Sequence, residues 1–158
     1  MLPAHTASTA AVPSPEIDVT VLTADAHLAS PGEHDWYNRQ IHREEALLID
    51  GLRARGLTVA RRSWSDPNVD WSATRSAILR STWDYFHRFA EFRVWLGRVR
   101  RVTRLINDAA LVDWNLDKHY LADLAAAGAD AVPTYFAERG SGETLAAILA
   151  GQGWDQAV

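Results

Sequence analysis

The feature that most constrains the fold is the run Ile17-Asp18-Val19-Thr20-Val21-Leu22-Thr23, a β-branched stretch that ends in polar residues. Such a run suits a strand of a parallel sheet. From there to Asn107 the chain keeps alternating between strand-like and helix-like segments. After a loop from Ala24 to about Trp36, a helix is predicted from Tyr37 to Arg55, with Ile41, Leu48 and Leu52 recurring at helical spacing and Glu45 and Ile49 beside them. Gly56 stands where a left-handed C-terminal cap is expected. Leu57–Ala60 reads as a second strand, Trp64–Ser72 as a polar loop, and Ser76–Arg80 as a third strand. A helix over Phe86–Val102 carries Phe89, Phe92, Trp95 or Leu96, and Val99 on one face, and Arg104–Asn107 supplies a fourth strand. This alternation predicts an α/β fold: an open parallel, Rossmann-like three-layer sandwich over residues 17–108 with right-handed crossovers.

Beyond Asn107 the pattern changes. A helical turn at Ala109–Asp113 precedes an Ala-rich helix at Leu116–Ala127, capped at its start by Asn115 and ended by Gly128. Ala131–Ala137 reads as a strand, Thr144–Ala150 as a short helix, and Gln156–Val158 as the opening of another element. Residues 109–158 therefore form a separate segment, and residues 1–16, rich in Ala, Ser, Thr and Pro, are expected to be a disordered tail.

Composition removes several function classes. With no cysteine among 158 residues, disulfides, thiolate zinc sites and a cysteine nucleophile are excluded. A net charge of −4 offers no general attraction to nucleic acid or anionic lipid. The one basic cluster, Arg98, Arg100, Arg101 and Arg104, reads as a solvated face. No apolar run reaches the length of a membrane span, and the N-terminal stretch lacks the pattern of a secretory signal, so a cytoplasmic protein is expected.

Chemistry is narrowed in the same way. The turn after the first strand, Ala24-Asp25-Ala26-His27-Leu28, has no glycine-rich phosphate fingerprint, and no phosphate-loop motif occurs elsewhere. The six histidines never fall at helical metal-ligand spacing, so no metal site is expected. Two stretches remain. Arg80-Ser81-Thr82-Trp83-Asp84-Tyr85 comes directly after the third strand, at the strand end where open α/β sheets bind ligands. Arg80 has the geometry to fork onto a carboxylate, and Asp84 the charge to hold an ammonium. The alternative is that Ser81 or Asp84 caps the next helix while Trp83 and Tyr85 seal the core. The second stretch is Asp113-Trp114-Asn115-Leu116-Asp117-Lys118-His119-Tyr120-Leu121. Lys118 in a first helical turn opposes the helix dipole unless an anion is near. An anionic ligand accounts for it, as does pairing with Asp117 or Asp113.

In this order, together with Asn107, Gly128 and Val132-Pro133-Thr134, these segments resemble the N-terminal half of an ATP-grasp ligase. The resemblance is to the branch similar to the cycloserine-forming ligase and, more distantly, to glutathione synthetase. It implies that residues 17–108 are a pre-ATP-grasp domain and 109–158 the start of an incomplete ATP-grasp subdomain. It also implies that Arg80, Ser81, Thr82, Trp83, Asp84 and Tyr85 face a small carboxylate or amino acid, while Lys118 reaches ATP phosphates. The parent would use ATP and magnesium to form an acyl phosphate that an amine attacks. Such enzymes continue through a second phosphate-binding lysine and late acidic residues that hold magnesium. The chain as given is therefore expected to be a truncated, inactive fragment with no catalytic residue of its own and no tightly held cofactor. The alternative is a free-standing, non-catalytic small-molecule-binding or interaction module. The apolar side chains Leu121, Leu124, Leu145, Ile148 and Leu149, with an unpaired strand at 131–137, predict self-association through the C-terminal segment.

Overall fold

The β-branched run forms β1 (Ile17–Thr23), an inner strand of a four-stranded parallel sheet in a computed structural model that describes residues 15–157. Its neighbours are β2 (Val59–Ser63) and β3 (Thr74–Ser81), with β4 (Arg104–Ile106) beyond β3, giving the order β2-β1-β3-β4. Being flanked on both sides explains why β1 tolerates so little polarity: Val19 to Thr23 are all buried. The helix α1 (Trp36–Arg53) carries the chain from β1 to one edge, and α2 (Phe89–Val99) carries it from β3 to the other. Right-handed crossovers toward opposite edges place the two helices on opposite faces of the sheet. The expected mixed α/β architecture with a parallel sheet is thus present.

Local chemistry sets the element ends. The Asp35 carboxylate accepts the Asn38 amide at 3.1 Å and starts α1, whose buried residues Ile41, Glu45 and Ile49 recur every fourth position. Gly56, at φ 81°, supplies the left-handed turn that lets the chain leave the helix. α2 buries Phe92, Trp95, Leu96 and Val99. Trp64 meets Phe92 and Trp95 with ring centroids 5.1 and 5.9 Å apart, and Trp71 meets Trp95 at 5.7 Å, all edge to face. That aromatic cluster forms the core on this side of the sheet.

Several boundaries differ from expectation, those of β2 and the start of α2 for reasons visible in the contacts. β2 covers Val59–Ser63 rather than Leu57–Ala60. Asp18 first clasps Thr58, accepting its amide at 2.9 Å and its hydroxyl at 2.7 Å, and the ladder begins beyond that clasp. Arg61 can then lie inside the strand because Glu45 meets it at 2.6 Å. α2 begins at Phe89 rather than Phe86, since Trp83–Phe86 winds into a 3-10 turn.

The chain divides into two compact units, the first ending at Asp113 and the second beginning at Trp114. The division falls inside α3 (Ala109–Asn115), whose Ala109 is buried. The second unit contains α4 (Tyr120–Ala126) and α5 (Leu145–Gln152), the latter capped by Thr144, which accepts the Ala147 amide at 3.2 Å. Asn115 is not the N-cap of a helix from Leu116. It is the last residue of α3, and a turn in which Asp117 accepts the His119 amide at 2.9 Å separates the two helices. Gly128, at φ 84°, does end the exit from α4. Residues 131–137 are not a strand: among the described residues no other segment pairs with them, and a lone extended segment has no ladder. No residue from Trp114 to Ala157 is buried. The tail expected at residues 1–16 lies outside the described residues apart from Pro15 and Glu16, as does the end of the element expected from Gln156.

Candidate functional site at the strand ends

All four strands point the same way, so the loops after β1, β2 and β3 gather at one end of the sheet. Ser81 closes β3 and Thr82 comes next; both are buried, and the Ser81 carbonyl accepts the Ala24 amide at 2.9 Å, joining two of these loops. Trp83 then emerges, 46% exposed, with its ring 6.0 Å from that of His27 and 6.2 Å from that of Tyr37. Tyr85 turns the other way and packs on Phe92 at 5.3 Å. Of the two aromatic residues, Tyr85 thus packs, half-buried, against the core, and Trp83 is left standing over the strand ends. Neither Ser81 nor Asp84 caps α2, whose N-cap position is Arg88.

The two charged members already have partners. Arg80 lies on the exposed part of β3 with its guanidinium 3.0 Å from Glu44 of α1. Asp84 accepts the Trp64 indole N–H at 2.8 Å and an Arg88 N–H at 3.2 Å. Arg88 itself reaches Asp25 at 3.0 Å, Ser65 at 3.1 Å and Glu91 at 2.6 Å, and its guanidinium lies 4.7 Å from the centre of the Trp64 ring. One side chain therefore links the loops after β1, β2 and β3. Hydrogen bonds from Ser63, Ser65 and Arg88 hold the Asp25 carboxyl below the usual carboxylate range. The Glu91 carboxylate, followed by Asp25 and Asp84, makes Arg88 still harder to deprotonate.

A second tie lies under the β1 loop. Arg61 donates from Nε to Glu45 and from both Nη atoms to the carbonyl oxygens of His27 and Leu28. The His27 carbonyl also accepts from His42 Nε2 at 2.7 Å, and His27 Nδ1 faces Asn38 Oδ1 at 2.7 Å. The His27 ring beneath Trp83 is thus held from both its backbone and its side chain. Sequence reasoning missed Arg88, Arg61, Trp64 and His27. Arg88 did leave a signal, because a cation at the start of a helix opposes the dipole and implies nearby anions.

Lys118, the one lysine of the chain, belongs to the second unit. Its ammonium lies 5.5 Å from the centre of the Tyr120 ring, in the turn ahead of α4 rather than in its first turn. Its neighbour His119 stacks on Phe136 at 4.3 Å and places Nδ1 2.6 Å from Asp117 and Nε2 3.3 Å from Glu138. With a carboxylate at each nitrogen, the doubly protonated ring is favoured, and Asp117 foremost, then Glu138, raises its pKa above the usual histidine value. This contact contributes fully below the ordinary histidine pKa and fades as pH rises through the elevated one. A ring-proton NMR titration should therefore give His119 a midpoint above that of a free histidine, lowered by Asp117→Asn and less so by Glu138→Gln. Among the described residues no group of three or more His, Asp or Glu side chains is arranged to hold a metal ion. No helix among them is long and apolar enough to cross a membrane.

Residues 19–107, which contain the whole sheet end just described, match the family of the D-cycloserine synthetase DcsG N-terminal domain. The chain belongs to this family. It is 45% identical over 101 residues to the cycloserine biosynthesis protein DcsG of Streptomyces lavendulae, covering 64% of this chain and 33% of that protein. The crystal structure of D-cycloserine synthetase DcsG superposes with a TM-score of 0.69 at 36% identity, covering 85% of this chain and 42% of the solved one. The resemblance read from the sequence, to the cycloserine-forming branch of the ATP-grasp ligases, agrees with all three matches. The chain thus spans about a third of the curated DcsG relative. The structural match is longer than the first unit alone can supply, so it includes part of the second.

Proposed function

We propose that the first unit is the substrate-side domain of an ATP-dependent carboxylate–amine ligase of the DcsG type. The observation that carries this reading is Trp83, left half-exposed over His27 and Tyr37 at the strand ends of a DcsG-type domain. An amino-acid-like ligand would lie against that indole. Its carboxylate would compete with Glu44 for Arg80, and its ammonium would be drawn by the Asp25 and Asp84 carboxylates. Both polar ends of the ligand thus meet groups that are paired but partly open to water, where exchanging one partner for another is inexpensive. The second unit would open the ATP-grasp domain, with Lys118 directed to ATP phosphates. Phosphoryl transfer depends on several cations, magnesium included, placed around the phosphates. Lys118 alone does not provide them, so these 158 residues are expected to bind substrate without turning it over. Self-association through the second unit belongs to the same reading, since Leu145 is exposed and Leu121, Leu124, Ile148 and Leu149 are only half-buried.

The test is an amide and indole NMR titration with cycloserine, free amino acids and small carboxylates. Saturable shifts at Thr82–Tyr85 are expected, weakened about tenfold or more by Trp83→Ala or Arg80→Ala. Shifts that never saturate, or variants that lower the melting temperature and leave every ligand response unchanged, would leave the strand ends with a structural role only. A non-catalytic interaction module would also fail to respond to these ligands.

A further inference from the structure

A groove of about 170 Å³ in the first unit is lined by Arg100, Thr103, Arg104, Leu105, Asp108 and Ala109, Arg104 and Leu105 belonging to β4. We infer that this groove is a binding site for a phosphate-type oxyanion, held between the guanidinium groups of Arg100 and Arg104.

Charge is the first observation. The chain carries a net −4, yet four arginines fall within residues 98–104, and none of Arg98, Arg100, Arg101 and Arg104 makes an ion pair among the described residues. Lack of a carboxylate partner is not peculiar to these four, since Arg39, Arg43, Arg53, Arg55, Arg62 and Arg139 have none among the described residues either; what sets them apart is their clustering in so short a stretch. The end of α2 explains part of the cluster: Arg98 is in the last turn and Arg100 is the C-cap, where the negative end of the helix dipole favours cations. It does not explain Arg104, which lies on β4, outside the helix. Arg104 and Arg100 nevertheless line the same groove.

The shape of the groove fits the same ligand. Three of its lining residues are buried: Thr103, whose hydroxyl is committed to the Trp71 carbonyl, with Leu105 and Ala109. Arg100 and Arg104, both exposed, bring long side chains with planar, permanently charged ends, which suit bidentate contact with an oxyanion. Asp108 is the one acidic group, and its Oδ1 already accepts the Ala110 amide at 2.8 Å, holding it to the start of α3. Among the described residues β4 pairs with β3 alone, so two of the groove's lining residues belong to an edge strand. This assignment does not depend on the strand-end reading, because neither Trp83 nor Arg80 lines the groove.

The experiment is a titration of the full chain with inorganic phosphate and with pyrophosphate, followed through backbone amides, against sodium chloride at matched ionic strength. Saturable shifts at Arg100, Thr103, Arg104 and Leu105 are expected for the phosphates and not for chloride. Arg100→Gln and Arg104→Gln should each weaken binding about tenfold or more, since each removes a charge-assisted contact. Arg98→Gln, outside the groove, should change it less than about twofold. Shifts that track chloride, or equal losses in all three variants, would mean a diffuse basic surface and overturn the assignment. Comparison of melting temperatures separates weakened binding from unfolding.

Discussion

Replacing Arg61 by Met should destabilise the first unit by about 3 kcal/mol, toward the lower end of the range for breaking a buried ion pair by removing one partner. Glu45 is 1% exposed, and one of its carboxylate oxygens has no hydrogen-bond partner even with Arg61 in place. Without the guanidinium the other oxygen would lose its partner as well. The lower end applies because Arg61 is 19% exposed, so water can enter as the side chain leaves. Urea unfolding of the single variant and of the double variant Arg61→Met/Glu45→Leu checks the cause. An apolar pair removes the stranded charge, so the double variant should regain most of the loss. It will not regain the grip on the His27 and Leu28 carbonyls. The β1 loop should therefore remain looser, with faster amide exchange at Leu28, even where stability has returned. A double variant no more stable than the single one would place the energy in the loop contacts instead.

The second large effect is expected at Trp64, which is 1% exposed at the meeting of Phe92 and Trp95. Trp64→Ala should cost about 3–5 kcal/mol, because the surrounding rings cannot collapse onto the space it leaves. Trp64→Phe separates packing from hydrogen bonding. It keeps an aromatic ring but deletes the indole N–H donated to Asp84 at 2.8 Å, for a loss of about 1.5–3 kcal/mol. The Phe variant should also free the Asp84 carboxylate to swing toward Arg88. If thermal or urea unfolding gives the two variants equal losses, the packing contribution of the larger indole has been overestimated.

The parts of the fold that could be read from sequence are those where one side chain's fate depends on its near neighbours. β1 and most of the buried face of α2 are legible because the apolar residues recur at the periods of a strand and a helix, and Gly56 and Gly128 mark the exits; Phe89, however, is exposed, and on α1 Glu45 and Ile49 take the buried places expected for Leu48 and Leu52, which are half-buried. Arg61 hid the true extent of β2. An arginine in a strand reads as the strand's end until its partner is known, and that partner, Glu45, lies on a helix. Residues 131–137 show the opposite error, since their composition suits a strand but pairing requires a second edge that sequence periodicity cannot supply. Asn115 was placed one helix too late because Asp117, two residues on, performs the capping-type contact at the next turn. At the candidate site, the stretch Arg80–Tyr85 was found from its density of polar groups. That Asp84 is shared by Trp64 and Arg88, and Arg80 held by Glu44, depends on contacts across the fold.

Heat capacity and denaturant sensitivity both scale with the apolar surface that unfolding newly exposes to water. From Trp114 to Ala157 no residue is buried, so that segment has little such surface left to expose. The cooperative melting of this chain is therefore a property of the sheet, α1 and α2, and its calorimetric signature should match a protein shorter than the sequence. In α4 and α5, each only two turns long, deuterium replaces amide protons at rates set by fraying of the helices and not by global unfolding.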